Sequence, residues 1–187
     1  MTHAVAVPRF RSLLRRFRRD RDGVSAVEFA IVLPFMLTLY IGGVELGDGL
    51  AVQFKSTLAA RTVTDLASQY VSLDGPTMQS ILGAGSSVVT PYSAANMVVT
   101  LTELTVNASG QGVVQWSCSL NGTARVNGTK LTMPTNLQTS GITLLYGEVI
   151  YPYTPNIGYV VTGTINIYQS VYFYPRLSST IQVSACS

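Results

Sequence analysis

The chain has 187 residues and a mass of 20.1 kDa, a length that suits one domain with an appendage. Only 11% of residues are charged, against roughly 25% in an average soluble domain, and the mean hydropathy is +0.32. The only histidine is His3 and the only cysteines are Cys118 and Cys186, so the body of the chain is excluded from imidazole-dependent catalysis, zinc binding and four-cysteine metal centres. No glycine-rich phosphate loop occurs either, and neither a cofactor nor an enzymatic activity is expected.

The net charge of +3 hides an asymmetry. Residues 1–23 carry seven arginines (Arg9, Arg11, Arg15, Arg16, Arg18, Arg19 and Arg21) against Asp20 and Asp22, which gives +5. Residues 24–187 carry five cations against seven acids, which gives −2. Basicity belongs to a short leader, and no nucleic-acid partner is expected.

Val24 to Val44 follows as 21 residues with a single charge, Glu28. About 20 apolar residues at roughly 1.5 Å each cross a hydrocarbon core of about 30 Å, so the run reads as a membrane span. The arginines immediately before it place the N-terminus in the cytoplasm and the body outside. Three targeting readings fit such a segment. A secretory signal would be cleaved after Ala51 in Gly49-Leu50-Ala51, but the apolar run is long for that role and Glu45 and Asp48 interrupt the approach. A twin-arginine signal would use Arg15-Arg16-Phe17, within an unusually dense cluster of charge. A prepilin-type signal would be clipped after Gly23, leaving the apolar helix as the mature N-terminus. In that case Val24 carries a free α-amine and Glu28 is the fifth residue. An ammonium and a carboxylate one helical turn apart can pair, within one chain or between staggered neighbours in a low-dielectric layer. The alternative is that Glu28 snorkels to the inner headgroups.

The arginine-rich leader, Asp22-Gly23-Val24-Ser25-Ala26-Val27-Glu28-Phe29-Ala30, Leu33-Pro34 and Gly42-Gly43-Val44-Glu45-Leu46-Gly47 together resemble the TadE-like family of the tight-adherence (Tad, Flp) pilus system, over roughly residues 19–70. The resemblance implies a bacterial pseudopilin or minor pilin, cut between Gly23 and Val24 by a prepilin peptidase, with Glu28 as the assembly carboxylate. Asp48-Gly49 departs from the smoother helix of that family.

Pro34, eleven residues into the mature helix, removes a backbone hydrogen bond, and a kink is expected there. Gly43-x3-Gly47 is a spacing that permits close helix contact, or else loosens the helix at the outer headgroups. From Leu50 to Tyr70 the pattern is amphipathic, with Leu50, Phe54 and Leu58 at four-residue spacing and Val63, Leu66 and Tyr70 continuing it. One helix from about Val24 to about Tyr70 is predicted, its second half packed on the body. Asp74-Gly75-Pro76 breaks it, and Met78–Leu82 reads as one short helical turn before Gly83-Ala84-Gly85.

The rest is Val-, Thr-, Tyr- and Asn-rich. Strands are predicted at Met97–Val106, Gly112–Cys118, Leu144–Pro152 and Ile165–Tyr174, with Asn107–Gly110 as a hairpin turn, Asn121–Pro134 and Pro155–Gly158 as loops, and Ile181–Val183 as a short edge strand. Outside the inner membrane an even cysteine pair reads as a disulfide, Cys118 to Cys186, pinning the C-terminus to the second strand. The Asn-x-Ser/Thr triplets at Asn107, Asn121 and Asn127 read as chance matches. The tyrosines Tyr146, Tyr151, Tyr153, Tyr159, Tyr168, Tyr172 and Tyr174 read as half-buried strand packing rather than a sticky surface.

The expected fold is α+β, with a leader (1–23), a membrane helix (24–44), its amphipathic continuation (45–72) and a β-rich extracytoplasmic domain (73–187). The expected role is pilus assembly from the inner membrane. The partners are a prepilin peptidase, other pilin and pseudopilin subunits, the inner-membrane assembly machinery and the lipid bilayer. The alternative is a single-pass anchored module that keeps its leader and binds a ligand outside.

Overall fold

An unbroken helix, α1 (Asp22–Ser68), carries both the apolar run and the amphipathic stretch in the computed structural model, which describes residues 22–155 and 163–186. The leader through Arg21, Tyr159 and the loop positions 156–158 lie outside the described residues. The described residues fall into two compact units that meet between Val44 and Glu45.

Among the described residues the first unit holds the N-terminal half of α1. Its apolar window has a mean hydropathy of 2.0 and none of it is buried, and among the described residues this is the one helix long and apolar enough to cross a membrane. Pro34 lies inside the helix, and the hydroxyl of Thr38 donates to the Pro34 carbonyl at 2.8 Å.

The second unit is α+β, as expected. After α1 come β1 (Ser72–Leu73), α2 (Gly75–Val88), β2 (Val98–Val106), β3 (Gln111–Leu120), β4 (Lys130–Thr132), β5 (Thr143–Tyr153), β6 (Ile165–Phe173) and β7 (Gln182–Val183). Five strands form an antiparallel sheet in the order β4-β3-β2-β5-β6. The four long strands fall within one or two residues of their predicted places. Three local expectations fail. Met78–Leu82 belongs to a 14-residue helix, because Asp74 caps it, accepting from the Thr77 amide at 2.9 Å, and Pro76 sits in the first turn where its missing N–H costs nothing. The loop 121–134 contains β4, which pairs with residues 111–113. Ile181–Val183 is no edge of the main sheet: β7 pairs in parallel with β1, just beyond the end of α1.

A fourth correction concerns which face of α1 packs. Of the expected stripe, Val63 is buried and Leu66 packs against the core, but Leu50, Phe54 and Leu58 are 46%, 72% and 54% exposed. The buried face is Val52, Ser56, Ala59, Ala60, Val63, Thr64 and Ala67. Backbone proximity explains the reversal. A Cβ on Gly147 of β5 would stand 1.8 Å from Thr64 Oγ1, and one on Gly85 of α2 would stand 3.0 Å from a Val63 methyl. Elements that approach so closely leave room only for small side chains, so size, the strongest sequence signal, points to the wrong face.

The sheet is covered on both sides. Leu101, Val99, Leu145, Val149 and Cys118 join α1 and α2 in the main core. Leu104, Val106, Val114, Leu144 and Tyr146 face a second core closed by Met133 from the 121–142 excursion.

Candidate functional site

Gly23, Val24 and Glu28 all lie in the first two turns of α1. A Cβ on Gly23 would meet no described atom within 4 Å, so packing of the described residues places no demand for glycine there. Val24 and Glu28 are exposed and four residues apart, hence on one face of the helix. A chain beginning at Val24 would set its α-amine one turn from the Glu28 carboxylate.

Gly43 and Gly47 are exposed, and a Cβ at either meets nothing within 4 Å. Further along, Leu50, Gln53, Phe54, Thr57, Leu58 and Arg61 line an open groove on α1 itself. Thr57 ties this flank to the edge strand β6, its hydroxyl donating to Gln169 Oε1 at 3.0 Å. The flank is therefore an apolar surface that the second unit leaves uncovered.

The C-terminal segment is clasped from four directions. Cys118 on β3 and Cys186 form a disulfide with Cα atoms 5.2 Å apart. The Trp116 indole donates to the Ile181 carbonyl at 2.9 Å, and the Ile181 amide donates to Glu103 Oε2 at 2.7 Å. Arg176 forms an ion pair with Asp65 near the end of α1, and Gln79 of α2 donates to the Cys186 carbonyl at 2.9 Å. Glu103 is 2% exposed, and burial pushes its carboxyl above the ordinary range despite the hydrogen bonds from Ile181 and Trp116.

A second buried carboxylate, Glu148 of β5, is held by a bidentate Arg125 and by the Tyr168 hydroxyl, and Arg125 lies over the Tyr146 ring with its guanidinium 5.5 Å from the centroid. Tyr146 stacks on Tyr172 at 4.4 Å between centroids. Burial first, and the neighbouring hydroxyl or ring second, raises both phenols well above their usual range. Neither Glu103 nor Glu148 was singled out from the sequence. The available signal was a lone acid in the middle of an otherwise uncharged strand, a placement that demands a partner. Tyr146, Tyr151 and Tyr153 are buried, while Tyr168 and Tyr174 are exposed, so packing accounts for the β5 tyrosines.

The three Asn-x-Ser/Thr asparagines include two with clear turn roles. Asn107 Oδ1 accepts from the Ser109 and Gln111 amides at 2.9 and 3.0 Å, and Asn121 takes a left-handed φ of 57° while its side chain donates to the Met97 carbonyl. Among the described residues no group of three or more His, Cys, Asp or Glu side chains gathers into a metal site.

Comparison with known proteins adds one finding. The family model for TadE-like protein matches residues 23–65, which covers Gly23, the apolar run and the uncovered flank of α1. The family resemblance read from the sequence is thus borne out over that stretch. No curated protein and no solved structure matches the chain.

Proposed function

We propose that this chain is a membrane-anchored pseudopilin or minor pilin that serves assembly of a tight-adherence pilus. A prepilin peptidase cuts between Gly23 and Val24, the run 24–44 holds the mature subunit in the inner membrane with its β-rich domain outside, and Glu28 pairs with a new α-amine to set register. The observation that carries this reading is the coincidence of the TadE-like match at 23–65 with a helix whose second residue is Gly23 and whose apolar window has no buried residue. An apolar helix whose hydrophobic window is unburied in the described structure calls for lipid or other helices around it. The uncovered flank at Leu50, Phe54 and Leu58 supports contacts with other pilus subunits. Pro34 is assigned a kink within the membrane-spanning run.

The deciding measurement is the N-terminus of the chain purified from native membranes. A start at Val24 supports processing. A start at Met1 supports instead the anchored binding module, and one at Val52 an ordinary secreted protein. Gly23→Ala should abolish or strongly slow the mass change. Glu28→Ala should be processed yet fail in pilus assembly, and wild-type piliation in that variant would sink the registry role.

A further inference from the structure

The main sheet has two outer strands, β4 and β6, and they are built differently. β4 is three residues long and carries Lys130, a charge of the kind that keeps sheet edges from pairing. β6 pairs with β5 in one register from Ile165 to Phe173 and contains neither a charge nor a proline. Among the described residues its outer edge has no backbone partner. The flank of α1 lies beside that edge. Ile167 and Val171 of β6 pack against the core that α1 shares, and Thr57 holds Gln169. Arg61 of α1 and Phe173 of β6 line one cleft, so helix and strand run side by side in the same sense. Leu50, Phe54 and Leu58 surround an open groove of about 550 Å³ on this flank, which lies wholly within the second unit. The charged side chains along the flank and strand are Arg61, Asp65 and Arg176. Asp65 and Arg176 are ion-paired with each other, while Arg61 is exposed and has no hydrogen-bond or ion-pair partner among the described residues. Lys55 donates to the Thr90 carbonyl at 2.6 Å and does not line the groove. One uncompensated positive charge therefore stands at the Phe173 end.

An unpaired edge offers a row of amides and carbonyls to a further strand about 4.8 Å away. A strand added beside β6 would gain main-chain hydrogen bonds along its length, and every second side chain would lie over Leu50, Phe54 and Leu58. The ladder supplies affinity whatever the sequence, and the apolar flank selects the alternate positions. Arg61 adds a preference for a carboxylate near the Phe173 end. We infer that the β6 edge and the Leu50–Arg61 flank of α1 form a docking site for an extended segment of a partner protein, with apolar side chains at alternate positions and an Asp or Glu opposite Arg61. A second copy of this chain does not match that charge: its own outer strands are β6, which has no acid, and β4, whose only charge is Lys130. The inference goes beyond the pilus reading above and stands whether or not the chain is cut after Gly23.

The test uses full-length protein in detergent micelles with its disulfide intact, and random peptides of about twelve residues displayed on phage as the probe. Panning should enrich peptides that alternate apolar residues and carry at least one acid. No enrichment, or enrichment of peptides without acids, overturns the inference. The best peptide, made synthetically, should slow amide hydrogen exchange about five-fold in the fragment spanning 165–173 and leave the fragment spanning 130–132 unchanged. Slowing at β4, or none at β6, overturns strand addition. Arg61 is exposed and unpaired, so its variants keep the fold. Arg61→Glu should weaken peptide binding about ten-fold and Arg61→Lys should keep most of it. Unchanged binding to Arg61→Glu overturns the acidic assignment. Protection of β6 that rises with protein concentration in the absence of peptide would place a second copy on the edge and overturn the partner assigned here.

Discussion

Glu103 sits in the middle of β2 with the Ile181 amide donating to it, and its burial opposes its charge. Because the folded-state pKa is raised, the native chain holds that proton more tightly than the unfolded chain. The cost of the ionised form is therefore present at neutral pH and is relieved as pH falls through the folded pKa toward the unfolded one. Asp74 works in the opposite sense. Its hydrogen bond to Thr77 lowers its pKa, so its helix-capping contribution is present above the unfolded value and is lost as acid approaches the folded one. Glu103→Gln keeps the shape without the charge, and thermal unfolding followed by near-ultraviolet circular dichroism should show a smaller gain on moving from pH 7.5 to pH 5 than the wild type. Glu103→Ala strands the Ile181 amide and should cost about 1–3 kcal/mol at either pH. These two acids illustrate what the sequence withholds at this scale: an uncharged strand interrupted by one carboxylate announces a buried partner without naming it, since Ile181 lies 78 residues away from Glu103.

Among the elements, strands were the most legible and helix faces the least. Alternation at 98–106, 111–120, 143–153 and 165–173 survives because each strand has two differently packed sides. Gly83 and Gly85 read as terminators of a short turn, yet Gly85 is inside α2, where its close approach to a Val63 methyl favours glycine. The same close approach made Leu50, Phe54 and Leu58 misleading. It also yields a test. Gly147→Ala should destabilise the domain by about 1–3 kcal/mol through overpacking against Thr64, whereas Thr64→Ala in the same chain removes the colliding oxygen and should return part of that loss. Chemical denaturation of the two single variants and the double variant measures the coupling; strict additivity would mean that the contact does not limit the packing. Arg125→Met should cost about 3 kcal/mol in the same assay, because it leaves Glu148 buried with only Tyr168 as partner.

For the whole molecule, charge sets apart residues 1–23 and hydropathy the run 24–44, and the described residues fall into two compact units that divide between Val44 and Glu45. The cysteine pair foretold one link of the C-terminal clasp, the disulfide to β3, and the structure bears it out; the other links, to α1, α2, β1, β2 and Trp116, could not be foretold because they are assembled only by the completed fold. Cys118 and Cys186 are 68 positions apart, and removing their bond by Cys186→Ser should cost about 4 kcal/mol in the chain-entropy description. It should also let a protease remove residues beyond about 176 before the remaining domain is cut, a two-step pattern visible on a gel.

That bond has a mechanical side. A subunit held through α1 and pulled through its C-terminus would, without that bond, load β1 and β7 in shear, because the two strands run parallel and are drawn from opposite ends. Cys186 lies between β7 and the C-terminus, so tension meets the disulfide first and crosses to Cys118, bypassing the chain between them. At roughly 3.4 Å per extended residue, the 68-residue separation is roughly 230 Å of slack that cannot be drawn out while the sulfurs stay joined. The disulfide thus acts as a strain limiter, keeping β4, β5 and β6 out of the line of force.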